Sequence, residues 1–294
     1  DLRLHRENRR FLPGFTLPDS ITPTHDFREA LGGADIVLTV MPSHYVRQVS
    51  TEMRPHLRDH TPVVSATKGI EERSFCRMSQ VLAETLDRNP IGALSGPSFA
   101  LEVAKGEPTA ITFASEDPEL AACIQREFSN PAFRVYVTDD LVGVELGGAL
   151  KNVIAIAAGI VEGLGLGHNT AAALITRGLA EITRLAVACG ARRETLAGLA
   201  GMGDLVLTCT GGLSRNRSVG VALGHGEKLP DIIAGMHGMV AEGVFTTDAA
   251  LGLARQHRVE MPIVEQMHSI LHEGKAPGDA MRDLMSRPGR IESE

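Results

Sequence analysis

The chain has 294 residues, 43% hydrophobic and 22% charged, the composition of an ordinary folded protein and enough length for two domains. A formal net charge of -7 with no basic block argues against nucleic acid or an anionic membrane as main partner, and leaves room for a local basic pocket that takes a phosphorylated metabolite. Cys76, Cys123, Cys189 and Cys209 are far apart and never at metal-ligand spacing, and the most apolar run, 153–161, is too short to cross a bilayer, so the expectation is a cytoplasmic protein with reduced thiols and no metal.

The chain opens at Asp1 without a methionine, directly in polar text, and reads as a piece of something longer. Apolar, strand-like runs follow at 34–41, 62–66 and 91–94, ending respectively in Pro42-Ser43-His44, Thr67-Lys68-Gly69 and Ser95-Gly96-Pro97-Ser98. Helical patterns at 45–57 and 74–86 separate them, which is the β-α-β rhythm of a parallel sheet covered on both faces. In such sheets ligands bind outside the carboxyl ends of the strands, where those three turns fall. Strand-like runs at 109–114 and 133–137 flank a helix at 118–128 and close this α/β half, residues 1–139.

Residues 140–294 read as a second, all-helical unit, with helices at 142–161, 169–189, 193–199, 215–223, 246–256, 262–272 and 278–286 and one doubtful strand at 205–209. Asn169 and Thr246 are the expected N-caps, Gly190 a C-terminal stop, and 224–226 and 235–238 turn material.

The stretch 147–159 is the pivot of the chemistry. On a helix, Lys151 shares a face with Gly147, Gly148, Ile154, Ala155 and Ala158, so small neighbours are expected to leave a groove beside its ammonium, with Asn152 on the border. The plain alternative is a lysine that snorkels to water; a buried one would lose pKa and exchange protons near neutrality. Lys68 stands at a strand end before the flexible Gly69, or is simply a solvated surface lysine. Ser95-Gly96-Pro97-Ser98 presents backbone N–H groups to an oxyanion or phosphate, or is an ordinary turn with Ser98 as a cap. Ser214-Arg215-Asn216-Arg217 sets two arginines against the positive end of a helix, which suits a bound anion, the alternative being an exposed basic turn. Asp204, after the bend at 201–203, is either a cap or a carboxylate that orients Lys151. The glycines of 163–167 imitate a dinucleotide fingerprint but follow a helix where that motif needs a strand, and no true fingerprint occurs in the chain.

Taken in order, Val40-Met41-Pro42-Ser43-His44, Ala66-Thr67-Lys68-Gly69, Ser95-Gly96-Pro97-Ser98-Phe99-Ala100, the stretch 147–159, Leu174-Ile175-Thr176-Arg177-Gly178, and residues 203–210 followed by 214–217 resemble the bacterial NAD(P)-dependent glycerol-3-phosphate dehydrogenases. Even residues 6–13 at the opening are similar, so the resemblance spans the chain. It implies a Rossmann-like parallel-sheet domain followed by a helical substrate domain, commonly dimeric, that reduces dihydroxyacetone phosphate to sn-glycerol 3-phosphate for phospholipid synthesis. It implies a proton-transfer role for Lys151. Lys68, Gly96 and Ser98 would hold substrate from the sheet side, with Asn152, Asp204, Ser214, Arg215 and Asn216 opposite. Pro42, Lys68, Ala100, Arg215, Val240 and Glu242 match positions that contact NAD or NADP. Family members open with a β-α-β unit and Gly-rich loop that precede this chain's first residue; the expectation is that the chain by itself binds cofactor poorly, leaves two sheet edges unpaired and is inactive. Two other readings stand beside this one: a related 3-hydroxy acid dehydrogenase, and a non-catalytic binder of phosphometabolites.

Overall fold

A computed structural model describes residues 2–236, 238–289 and 291–292. A small antiparallel hairpin of β1 (Glu7–Asn8) and β2 (Leu12–Thr16) precedes a five-stranded sheet of β3 (Val37–Thr39), β4 (Val63–Ser65), β5 (Ile91–Ser95), β6 (Thr109–Ala114) and β7 (Phe133–Thr138), arranged in chain order. β3, β4 and β5 are parallel, as are β6 and β7, but β5 and β6 run antiparallel. The sheet is therefore mixed where a parallel one was expected. The reason lies in the β5–β6 connection, whose only helix is the five-residue Ala100–Ala104, too little for a crossover that returns the chain to the same end. One apolar cluster built on Val63, Leu82 and Leu86 and another on Val64, Phe113 and Ile124 pack against the sheet.

Several boundaries moved. The helix expected at 74–86 is Met78–Thr85, because Phe75 adopts a left-handed φ of 59° and Ile70 bridges Arg77, folding the segment before it into a tight loop. The doubtful strand at 205–209 is the helix Asp204–Thr210, in which the Thr208 and Thr210 hydroxyls donate to carbonyls four residues back. Neither Asn169 nor Thr246 is an N-cap, since Gly167 and Ala241 hold those positions; Gly190, at φ 100°, does follow a helix end. The turn read at 235–238 includes His237, which lies outside the described residues.

The central helix, Leu141–Gly163, is buried from Gly143 through Val161 and organises everything after β7. It is long and apolar enough to cross a membrane, but its most apolar window is wholly buried inside the protein. Asp140 caps it by accepting from Gly143 N at 2.8 Å. Its small residues admit neighbouring backbone. A Cβ on Gly159 would lie 2.0 Å from Arg217 O, and one on Gly220 would lie 2.0 Å from Ile156 O, so the central helix and the helix Arg215–Gly224 meet backbone to backbone. That approach fixes where the Arg215 helix begins.

Candidate active site

The carboxyl end of β5 and the Lys68 turn beyond β4 reach the first half of the central helix. Gly148 abuts the end of β5: a Cβ there would lie 2.5 Å from Ser95 Oγ and 3.5 Å from Lys68 Cγ. Gly147 is filled in the same way by the wide helical turn Leu199–Gly203, with Ala200 O 2.6 Å from its ideal Cβ. The groove expected beside Lys151 is thus not open at these two glycines. They are small because strand and turn press against them, which brings Lys68 and Asp204 to Lys151.

Lys151 is 6% exposed and Asp204 1% exposed. Lys151 Nζ donates to Asp204 Oδ1 and, at 2.7 Å, to Thr208 Oγ1. Lys68 Nζ donates to Asp204 Oδ2 at 2.5 Å and to Gly96 O at 3.1 Å. Thr208, one turn after Asp204, donates its own hydroxyl hydrogen bond to Asp204 O at 2.6 Å. Two ammonium groups thus share one carboxylate, and the trio carries a net single positive charge. Burial drives the Lys151 pKa down, the nearby Lys68 charge pushes it further, and Asp204 pulls back, leaving it at about 7. Snorkelling is excluded.

Beside this trio, Asn152 Oδ1 accepts from Asn216 Nδ2 at 2.9 Å, and Asn216 Oδ1 accepts from Gly243 N at 2.9 Å, linking three helices. Ser214 caps the Arg215–Gly224 helix, its hydroxyl accepting from Arg217 N at 3.2 Å. Arg217 turns back to pair with Glu162, so only Arg215 of the two arginines stays exposed at the helix start, without an ion pair among the described residues.

On the sheet side, Gly96 takes a φ of 143° and packs against Ile111, where a Cβ would stand 2.9 Å from Ile111 Cα. Ser98 is exposed and donates to Gly96 O at 3.1 Å; it is not the expected cap, a position Phe99 occupies. Pro42 precedes Ser43, and Ser43 ties the sheet to the helical unit: Glu242 accepts from Ser43 N at 3.0 Å and from Ser43 Oγ at 2.6 Å. Ala100 opens the short helix after Phe99, and Val240 lies two residues before Glu242; no side-chain hydrogen bond joins either to the trio among the described residues. Thr208 and Ser43 are the partners that reading by residue type passed over. Nothing in a lone Thr marks it, whereas Ser43 stood in a flagged strand-end turn.

A nicotinamide cofactor would lie against this edge, and the residues fit one. Val40 is exposed just beyond β3, an apolar shelf at a parallel-strand carboxyl end, and two strands away, at the end of β5, Ser95 Oγ is buried beside Gly148 without a hydrogen-bond partner. A sheet edge of this kind facing a buried lysine and its carboxylate on a helical unit suits a nicotinamide-dependent dehydrogenase.

Comparison with known proteins gives the family. Residues 1–121 match the profile described as NAD-dependent glycerol-3-phosphate dehydrogenase N-terminus, and residues 140–282 match its C-terminus. The chain is similar to proteins named glycerol-3-phosphate dehydrogenase, NAD(P)+, from Koribacter versatilis, 64% identical over 98% of this chain and 86% of the relative, and from Acidobacterium capsulatum, 57% identical over 99% and 88%. The crystal structure of glycerol-3-phosphate dehydrogenase from Coxiella burnetii superposes with a TM-score of 0.94 at 41% identity, covering 97% of this chain and 87% of that one. The chain belongs to the NAD-dependent glycerol-3-phosphate dehydrogenase family.

Proposed function

We propose that this chain reduces dihydroxyacetone phosphate to sn-glycerol 3-phosphate, with Lys151 as the acid that protonates the carbonyl oxygen, and that its product feeds glycerophospholipid synthesis. The observation that carries this reading is the pKa of about 7 at a buried lysine held by a carboxylate, which lets one amine give and take a proton near neutrality. NADH or NADPH, when bound, would supply the hydride. Asp204 aims the ammonium of Lys151 and keeps it from losing its proton outright; Thr208 fixes the rotamer. The positive excess of Lys68, Lys151 and Asp204 favours an anionic ester over a neutral ketone.

Substrate lies, in this reading, between Lys68, Gly96 and Ser98 of the sheet unit and Asn152, Asp204, Ser214, Arg215 and Asn216 of the helical one. Arg215 and the free N–H groups at the start of its helix take the phosphate. Pro42, Ala100, Val240 and Glu242, with Lys68 and Arg215, line the cofactor side, with Glu242 braced by Ser43. The functional division falls at residues 139 and 140. Four free thiols support a cytoplasmic setting, and the family resemblance read in the sequence supports a homodimer.

Loss of nicotinamide absorbance with dihydroxyacetone phosphate, for the chain and for Lys151→Ala, tests the reading. Turnover that falls by about 10²–10⁴ in the variant supports it. Undiminished turnover in the variant removes Lys151 from the chemistry. Binding of glycerol 3-phosphate with no turnover, and no binding of NADH or NADPH, would return the chain to the non-catalytic alternative; preference for a small 3-hydroxy acid would return it to the other dehydrogenase class.

A further inference from the structure

Far from the dehydrogenase cleft in its ligand chemistry, a second polar cluster joins two helices of the C-terminal unit. His268 and His272 stand one turn apart on the helix Pro262–His272, so both rings leave the same face, with centroids 5.2 Å apart. The helix Glu242–His257 presents Asp248 to that face. Asp248 Oδ1 is 2.7 Å from His268 Nδ1 and 3.4 Å from His272 Nε2, and one ligand atom from each residue lies within 4.8 Å of the others.

We infer that Asp248, His268 and His272 form a binding site for a divalent transition-metal ion, with Zn²⁺ the ion that fits. Two imidazole nitrogens and one carboxylate oxygen make a borderline donor set that suits zinc over magnesium or calcium, which prefer oxygen alone. In a tetrahedral zinc site with bonds of about 2.0–2.1 Å, neighbouring ligand atoms are about 3.3 Å apart. The Asp248–His272 separation already matches. The Asp248–His268 pair must open by about half an ångström, and the metal then takes the place of the proton those two atoms share. Water fills the fourth position.

The three side chains bond to one another, and His268 also to Glu273, contacts from which they can turn to an ion. They are half-buried or exposed, so entry is open, and Glu273 stands 3.5 Å from His268 Nε2, where it can fix the ring orientation from behind. The site crosses the gap between two helices, one of which begins at Glu242, the residue that braces Ser43. Metal binding therefore clamps the helix on which that brace stands.

The test takes the full chain freed of metal with a chelator and titrates Zn²⁺ by calorimetry, then reads the visible spectrum with Co²⁺ in its place. One ion per chain, a tetrahedral cobalt spectrum, and affinity about tenfold or more weaker in both His268→Ala and His272→Gln would support the site. His225→Ala, an exposed histidine elsewhere, should bind as the parent does. Thermal melts of the metal-free variants check that they fold, and a zinc-dependent rise in the parent's Tm should be absent from both variants. No stoichiometric binding by the parent, or zinc affinity unchanged in the two variants, would overturn the inference.

Discussion

Lys68 and Lys151 hold opposite oxygens of a single carboxylate, that of Asp204, one ammonium reaching it from the carboxyl edge of the sheet and the other from the central helix. The two positive charges therefore feel each other, and Lys68 depresses the pKa of Lys151. Replacing Lys68 by Met removes that repulsion and frees Asp204 to serve Lys151 alone. The expected result is a Lys151 pKa above about 7, seen as a shift to higher pH of the limb that Lys151 controls, together with a raised KM for the phosphorylated substrate. A pH profile whose limb stays in place while KM rises would show that Lys68 only binds.

Direction of reaction gives an independent check on Lys151 itself. Ketone reduction consumes the ammonium, so its rate should fall as pH rises through about 7; alcohol oxidation needs the free amine, so its rate should climb over the same window. Measured as kcat in both directions at saturating cofactor, the two profiles should mirror each other about a shared midpoint. Two profiles that run the same way would exclude Lys151 as the exchanging group.

Most of this architecture could be read from the residues, and what could not has a physical reason. Strand ends and the helical second unit follow from runs and periods, and the helices Pro118–Phe128 and Pro262–His272 begin and end where their patterns do. Residues 205–209 give only a doubtful strand signal, because a short apolar run has too few turns to reveal its period. That ambiguity hides Thr208: in a strand it would stand about 13 Å from Asp204, in a helix one turn away. By sequence alone Gly147 and Gly148 signify space, whereas in the fold they are contact surfaces for chain distant in sequence. The same limit hides the Ser43–Glu242 bond, which joins partners 199 positions apart.

Gly159 is a place where one methyl should move the site. Its ideal Cβ meets Arg217 O at 2.0 Å and Val221 N at 2.8 Å, rigid backbone that cannot swing away as a side chain could. Gly159→Ala should cost about 1–3 kcal/mol in urea denaturation and push the Arg215–Gly224 helix outward. Because Asn216 rides on that helix and bonds to Asn152, the KM for dihydroxyacetone phosphate should rise more than kcat falls. An equally stable variant with unchanged KM would mean that the two helices separate freely without disturbing substrate.

Glu181 offers a test of stability apart from catalysis. Buried in the helical unit, it caps the helix Pro262–His272 by accepting from Ile263 N at 2.9 Å and 3.1 Å through its two oxygens. Burial lifts its pKa to about 7 from the ordinary glutamate value of 4.5, more than those backbone amides lower it. This is the reverse of a carboxylate stabilised by a partner. Between those two values the native chain binds more protons than the unfolded one, so the residue's contribution is most favourable below about pH 4.5 and is lost as pH rises through about 7. Glu181→Gln keeps an acceptor for the Ile263 amide and carries no charge. At pH above about 7 it should be more stable than the parent by on the order of 1–3 kcal/mol in urea denaturation, and the difference should close toward about pH 4.5. A variant less stable than the parent at the higher pH would show that the amides at the helix start stabilise the ionised carboxylate more than its burial opposes it.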